Sequence, residues 1–162
     1  MEQLTITYHN PMKSCAFTGH RTLEKDFSPK LLKKYVLALI SDGVDVFYSG
    51  LALGFDLIAA ETVLSCKKKF PNIRLIACIP HYGQEARYSE KDKARYAKIL
   101  KKADEQVLLS EEFTKNCYMD RNRYMADRAD VLVAYLKQKT GGTAYTVKYF
   151  QKKKPLNRVV FV

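Results

Sequence analysis

Gly141, Gly142 and Thr143 stand between an apolar run and a helical pattern, and residue types in this order can bind an anion. The run 131–136 is typical of a buried strand, and apolar residues at helical spacing follow Thr143. The N–H groups of a first helical turn have no partner within the helix, and the helix dipole adds about half a positive charge there. Glycine lets a phosphate approach these amides without a Cβ in the way. The tract predicts a site for a phosphate-bearing ligand, with a plain turn between strand and helix as the alternative.

Gly19, His20 and Arg21 form a second polar segment, directly after another apolar strand pattern. Glycine at a strand exit permits a tight turn, and the planar guanidinium of Arg21 suits a phosphate or a carboxylate. His20 offers a hydrogen-bonding ring. The alternative is structural: Arg21 pairs with a surface acid and His20 packs over the loop.

The segment 49–56 contains a third candidate, in which Ser49, Gly50 and Gly54 precede a helical pattern. We interpret it as a second main-chain platform at a helix start, with the Ser49 hydroxyl able to reach a ligand oxygen. Asp56, in the first helical turn, either complements the helix dipole or accepts a hydrogen bond from a ribose hydroxyl. The segment is neither a G-x-G-x-x-G motif nor a Walker loop.

Two further segments carry groups that suit a ligand site. Glu85 follows another strand pattern and could act as a general base if burial raised its pKa. Arg121 and Asn122 lie near the start of an unusually polar helix at the same predicted rim. The three histidines, His9, His20 and His81, show no metal-ligand spacing, so no metal and no cofactor are predicted.

Composition limits the class of protein. A chain of 162 residues with 47% hydrophobic and 28% charged residues is typical of one soluble domain, here 1–162. It has no run long enough to span a membrane and no signal peptide, and its four cysteines lack C-x-x-C spacing, so a cytoplasmic protein is expected. The net charge of +11 indicates a solvated basic face or, alternatively, a nucleic-acid-binding surface.

Six strand patterns alternate with five helical ones along the chain. We predict strands at 14–18, 44–48, 73–79, 106–109, 131–136 and 159–162, and helices at 30–41, 55–68, 90–102, 118–128 and 143–151. Ser28 is placed to cap the first helix, Pro29 to open it and Gly43 to close it. This alternation predicts a three-layer α/β domain with a mainly parallel sheet, in which ligands bind beyond the carboxyl ends of the strands.

The ordered set of motifs resembles the YpsA-type branch of the SLOG superfamily, whose relatives include the DNA-processing proteins Smf (DprA) and the Lonely-guy phosphoribohydrolases. The matching segments are 17–21, 49–50, 53–56, 59–61, 79–80 with Gln84, 121–125 with Asp127, 129–130 and 141–143. The resemblance implies a Rossmann-like sheet of about six strands in the order 3-2-1-4-5-6 and a site for nucleotides or nucleotide-derived ligands. It assigns phosphate binding to the glycine loops and the glycine–threonine helix start, here Gly19, Arg21, Gly50, Gly54, Gly141, Gly142 and Thr143, with Arg121 and Asn122 at the rim.

One departure from these relatives concerns catalysis. Lonely-guy enzymes cleave the base–ribose bond of cytokinin nucleotides and carry a Gly-Gly-x-Gly-Thr-x-x-Glu signature. In this chain the threonine follows the glycine pair directly, and Thr146 and Val147 stand where the glutamate is expected. Because an N-glycosidase needs a carboxylate, catalysis would require Asp56, Glu61 or Glu85 in that role.

The sequence therefore predicts binding, or sensing, of a nucleotide or nucleotide-derived ligand at the carboxyl edge of the sheet, with no catalytic residue assigned. The alternatives are DprA-like binding of single-stranded nucleic acid and hydrolysis of a nucleotide N-glycosidic or phosphate bond. A small nucleotide-derived molecule is the expected partner, and a membrane is not. Monomer and homo-oligomer both stay open.

Overall fold

The computed structural model describes residues 12–162, which form six strands and five helices in strict alternation. His9, considered above as a metal ligand, lies outside the described residues. The elements are β1 Ser14–Gly19, α1 Pro29–Ser41, β2 Val46–Ser49, α2 Phe55–Lys67, β3 Arg74–Ile79, α3 Glu90–Lys102, β4 Glu105–Leu108, α4 Cys117–Arg128, β5 Val131–Tyr135, α5 Gly142–Lys153 and β6 Val159–Phe161.

The six strands form one parallel sheet in the order β4-β3-β2-β1-β5-β6. Helices α1, α2 and α3 pack along one face, and α4 packs against α5 on the other. Each face of the sheet has its own apolar core. The predicted α/β class with a mainly parallel sheet is confirmed. No helix within residues 12–162 is both long and apolar enough to cross a bilayer.

The observed strand order corrects the predicted order 3-2-1-4-5-6 at one strand. The fourth strand pairs with β3, where Ile76 lies opposite Glu105, and it is β5 that pairs with β1. Burial explains this arrangement. Glu105 and Gln106 are exposed, as suits an edge strand, whereas all five residues of β5 are buried and require neighbours on both sides.

The capping residues predicted for helix α1 are confirmed. The Ser28 hydroxyl accepts a hydrogen bond from the Leu31 N–H at 3.1 Å, with Pro29 opening α1. Gly43 follows the helix with φ +106°, a left-handed conformation that glycine adopts without strain. These caps depend on neighbours along the chain and need no tertiary contact.

Strand order decides where a ligand site can form. Because β2, β1 and β5 are adjacent and parallel, the loops that leave their carboxyl ends meet at one edge of the sheet. The connections after β1 and after β5 lead to opposite sides, since β2 and β6 lie on opposite sides of this pair. Such a reversal of strand order opens a crevice between the two loops.

Candidate functional site

A polar cleft of ≈ 310 Å³ opens at this reversal point, at the carboxyl edge of the sheet. Four segments converge on it: the loops after β1, β2 and β5, and the first turns of α4. Its lining residues are Thr18, Gly19, His20, Arg21, Ala52, Asp56, Tyr118, Met119, Arg121, Asn122, Gln138, Thr140, Gly141, Gly142 and Thr143.

Most of the predicted ligand-binding residues line this one cleft. They are Gly19, His20, Arg21, Asp56, Arg121, Asn122, Gly141, Gly142 and Thr143. Ser49, Gly50 and Gly54 do not line it and lie behind its wall. Residues far apart in the chain are thus brought together by the strand order.

The amino end of α5 faces the cleft without a side-chain cap. Gly141 precedes the helix with φ +100° and ψ −176°, and no side chain bonds back to the first turn. A Cβ on Gly141 would meet no atom within 4 Å, so the approach to the helix end is open. The amide nitrogen Nδ2 of Asn122 lies 3.9 Å from the place of a Cβ on Gly142. The helix end and the Asn122 amide together can donate hydrogen bonds to an anion.

Arg121 is buried beneath the cleft, with only 4% of its surface exposed. Its Nη1 donates to the Gly50 carbonyl oxygen at 2.7 Å, and its Nε donates to Oδ1 of Asn122 at 2.9 Å. A Cβ on Gly50 would lie 2.6 Å from that Nη1. Gly50 therefore serves the cleft by making room for Arg121, which in turn orients the Asn122 amide.

Ser49 and Gly54 also lie behind the cleft wall, where they stabilise the segments that form it. The buried Ser49 hydroxyl donates to the Asp56 carbonyl oxygen at 3.0 Å and accepts from the Leu51 N–H at 3.3 Å. Gly54 has φ +82°, and a Cβ there would collide with the Arg21 carbonyl oxygen. The Ser49 bonds fix the segment after β2, and Gly54 lets that segment pass close to the loop after β1, which keeps Arg21 and Asp56 on the same cleft.

His20 connects the loop after β1 with the loop after β5. Its Nε2 accepts a hydrogen bond from the Lys137 N–H at 2.8 Å, and its carbonyl oxygen accepts from the Phe55 N–H at 3.1 Å. The imidazole packs edge-on against Tyr135, with ring centroids 5.8 Å apart. Because Nε2 accepts, the hydrogen of neutral His20 lies on Nδ1.

Asp56 is the buried acid of the cleft, with 5% of its surface exposed. Burial raises its pKa to about 6, and the Arg121 guanidinium, the Ala52 backbone N–H and Arg21 only partly oppose this effect. Burial also lowers the pKa of Arg121, so neither group gains enough from the other to offset its lost hydration. Within residues 12–162, Asp56 Oδ1 has no hydrogen-bond partner. Because Asp56 lines the cleft, this oxygen is an unsatisfied acceptor at the cleft wall.

Tyr118 is a cleft residue that sequence reasoning missed. Its hydroxyl lies 3.1 Å from Nε2 of His81, and the guanidinium carbons of Arg21 and Arg121 lie 5.8 and 5.7 Å from its ring centroid. A helical spacing of three and four residues from Arg121 and Asn122 was the signal that could have found it, since such residues share one helix face.

The other two carboxylate candidates lie elsewhere. Glu61 pairs with Arg95, with Oε1 and Nη2 2.5 Å apart, in a groove between α2 and α3. Glu85 lines a separate cavity beside β3, β4 and α3. Of the three candidates, only Asp56 lines the cleft. Among residues 12–162, no group of three or more histidine, cysteine, aspartate or glutamate side chains is arranged to hold a metal ion.

The fold and the cleft define a Rossmann-like α/β protein with a polar site at its carboxyl edge. The chain belongs to the YpsA family, described as the YspA SLOG family, which matches residues 4–160. A UPF0398 protein of Bacillus pumilus is 32% identical over 151 residues, covering 85% of this chain and 81% of the relative. The UPF0398 protein YpsA of Bacillus subtilis is 24% identical over 156 residues, covering 88% and 87% respectively. The family and these relatives place the chain among bacterial proteins.

Two solved structures of DNA processing protein A (DprA) share the fold. The Streptococcus pneumoniae protein gives a TM-score of 0.65 at 20% identity, covering 93% of this chain and 50% of that one. The Helicobacter pylori protein, whose structure concerns a single-stranded DNA binding mode, gives 0.62 at 22% identity, covering 92% and 65%. This chain thus spans about half to two thirds of those proteins, and the likeness is one of fold.

Proposed function

We propose that the chain binds a nucleotide or a nucleotide-derived, phosphate-bearing ligand in the cleft at the carboxyl edge of the sheet. The observation that carries this proposal is that one cleft combines an uncapped helix end, which can donate to an anion, with a buried acceptor, Asp56 Oδ1, that no donor among residues 12–162 satisfies.

The donor side of the cleft suits a phosphate. The first amides of α5 and the Asn122 amide group lie together, and the exposed Arg21 adds a positive charge at the cleft mouth. Charge-assisted hydrogen bonds from a guanidinium and from helix amides are the usual means of holding phosphate oxygens. Glycine at positions 141 and 142 keeps this approach free of side chains.

The acceptor side requires more than a phosphate. An ionised phosphate offers only acceptors, so it cannot satisfy the Asp56 carboxylate. A ligand that also carries a sugar hydroxyl or an N–H group can donate to Oδ1. A phosphorylated nucleoside has both functions in one molecule, which is why it fits better than a simple oxyanion.

Binding without turnover is the form of this proposal that the geometry favours. A hydrolase would need Asp56 to act alone, because Glu61 and Glu85 lie outside the cleft. An inverting or retaining glycosidic mechanism ordinarily uses two carboxylates. Base release from a panel of nucleoside monophosphates, followed by chromatography, would identify a hydrolase.

Thermal-shift measurement tests the binding proposal. A ligand at one hundred times its dissociation constant should stabilise the protein by about 2.7 kcal/mol. We expect at least one member of a panel of nucleoside mono-, di- and cyclic phosphates and ADP-ribose to do so. The Arg21→Ala variant should bind it about 10-fold more weakly, since a charge-assisted hydrogen bond is lost.

The matched control is Arg158→Ala, which removes an exposed arginine just before β6, away from the cleft. It should leave the affinity unchanged. Absence of a thermal shift across the whole panel, or equal weakening by both variants, would contradict nucleotide binding in this cleft.

Single-stranded nucleic acid is the second candidate ligand, favoured by the net charge of +11. The groove between α2 and α3 carries several cations, among them Lys68, Lys98 and Lys102. The structure of the H. pylori neighbour concerns single-stranded DNA binding. Phosphate contacts release counterions, so binding to a strand should weaken steeply as salt rises.

Fluorescence anisotropy with a labelled oligonucleotide measures this dependence. If the groove binds the strand, the triple variant Lys68→Ala, Lys98→Ala, Lys102→Ala should reduce the slope of log K against log salt by roughly 2, at about 0.7 for each phosphate contact. The variant Lys152→Ala, Lys153→Ala at the end of α5 is the control. A slope that both variants change equally for each lysine removed would indicate attraction to the overall charge without a defined site.

A further inference from the structure

Three aromatic side chains form a cluster beside the cleft: His81, Phe113 and Tyr118. The His81 ring packs edge-on against both others, with centroids 5.5 Å from Phe113 and 5.6 Å from Tyr118. The Phe113 and Tyr118 rings are tilted, with centroids 6.2 Å apart. The cluster is therefore continuous from the cleft wall, which Tyr118 lines, to Phe113 outside it.

Burial differs sharply within the cluster. His81 is 8% exposed, and its ring is fixed on one side by the Tyr82 carbonyl oxygen at 2.7 Å and on the other by the Tyr118 hydroxyl at 3.1 Å. Phe113 is 63% exposed although it is a large apolar residue. A rigid base thus supports an aromatic ring whose outer surface is left to solvent, which is the arrangement of a stacking platform.

Helix α4 sets the distance between Tyr118, the part of this cluster that lines the cleft, and Asn122 at the phosphate-binding end. Tyr118 and Asn122 are four residues apart on the helix, so they lie on one face and are separated by about 6 Å along its axis. The base and the 5′-phosphate of a nucleotide are separated by a distance of the same order. Asp56 and Arg121 line the same cleft as Tyr118 and Asn122.

We infer that the His81–Phe113–Tyr118 cluster is a stacking subsite for the nucleobase of a ligand whose phosphate lies at the amino end of α5. This inference rests on the proposed function and narrows it to ligands with an aromatic base about one helical turn from a phosphate. The sugar then lies near Asp56, where a hydroxyl donates to Oδ1. Because every base has a π-face, the cluster adds affinity for all four bases without selecting among them.

Calorimetric titration of ribose 5-phosphate and of the four nucleoside 5′-monophosphates tests this subsite. The wild-type protein should bind the nucleotides about 10-fold more tightly than ribose 5-phosphate, as one stacked base contributes. In Phe113→Ala this advantage should largely disappear, while the affinity for ribose 5-phosphate stays unchanged. The melting temperature without ligand checks that the variant folds, and an exposed side chain leaves little risk of unfolding.

Phe161→Ala is the matched control, because Phe161 is also exposed, at 52%, but lies on the edge strand β6. It should change neither affinity. Equal affinity for ribose 5-phosphate and the nucleotides, or equal loss of both in Phe113→Ala, would overturn the stacking subsite while leaving phosphate binding intact. Failure of all five compounds to bind would overturn the subsite, and failure of the wider thermal-shift panel as well would overturn the proposed function.

Discussion

The Asp56→Asn variant is expected to be more stable than the wild-type protein at pH 7, by roughly 1–3 kcal/mol. The folded protein raises the pKa of Asp56 from 3.8 to about 6, chiefly because the carboxyl is buried, so the ionised form is disfavoured by folding. This shift already includes the attraction of Arg121. Asparagine has nearly the same shape as the protonated acid and avoids the desolvation cost.

The stability gained by Asp56→Asn over the wild type should increase as the pH rises. Between pH 3.8 and about 6 the folded protein binds more protons at Asp56 than the unfolded chain does. The contribution of Asp56 to wild-type stability is therefore greatest below this window and falls as the pH rises through it. The difference in unfolding free energy between Asp56→Asn and wild type should be small near pH 4 and constant above about pH 6.5.

Urea denaturation at intervals between pH 4 and pH 8 measures this difference. Asp104→Asn is a control variant for which the expected change in stability has the opposite sign. Burial opposes ionisation of Asp104, but its bonds to Lys67 and the Leu75 N–H outweigh this and lower its pKa. Its substitution should therefore destabilise the protein at pH 7. A less stable Asp56→Asn variant at pH 7 would mean that the Arg121 interaction outweighs burial, contrary to our account.

The Asp56→Asn substitution should also change ligand binding. A carboxylate kept buried without a partner for Oδ1 reduces stability, and proteins commonly tolerate such a group where it binds a ligand. We therefore expect Asp56→Asn to gain stability while binding a ligand that donates a hydroxyl to Oδ1 more weakly, because a neutral amide oxygen is a weaker acceptor than a carboxylate. An affinity equal to that of wild type would remove Asp56 from the ligand site.

Gly54→Ala is expected to destabilise the protein by roughly 3 kcal/mol or more. Gly54 combines φ +82° with ψ −117°, a conformation that residues with a Cβ rarely adopt. An added Cβ would also collide with the carbonyl oxygen of Arg21, and a main-chain atom cannot move aside as a side chain can. The loops after β1 and β2 would have to separate, so ligand affinity should fall together with stability.

Gly83→Ala separates the two causes. Gly83 has a similar φ of +85°, but a Cβ there would meet no atom within 4 Å. It should show the backbone strain alone, about 1 kcal/mol, with unchanged ligand affinity. Chemical denaturation of both variants gives the comparison. Equal losses would show that the collision with Arg21 relaxes freely and that the two loops are not held in close contact.

The structure brings the predicted strand-exit residues together at one cleft, whereas it places Ser49, Gly50 and Gly54 behind the cleft wall. Gly19, Arg21 and Gly142 follow strand patterns, so a parallel sheet places them at one edge whatever the order of its strands. The role of Gly50 depends on Arg121, which is 71 positions away in the chain. No local pattern contains such a contact.

The α/β class, the alternation of strands and helices and the caps of α1 could be predicted from local patterns, because periodicity and capping depend on residues within about one helical turn of each other. Long-range packing places β4 at the edge beside β3, puts Asp56 but not Glu61 or Glu85 on the cleft, and brings Phe113 against Tyr118. These outcomes depend on which distant surfaces are buried against one another. Which surfaces pack together depends on the free energy of the whole folded chain, so no single segment of the sequence predicts it.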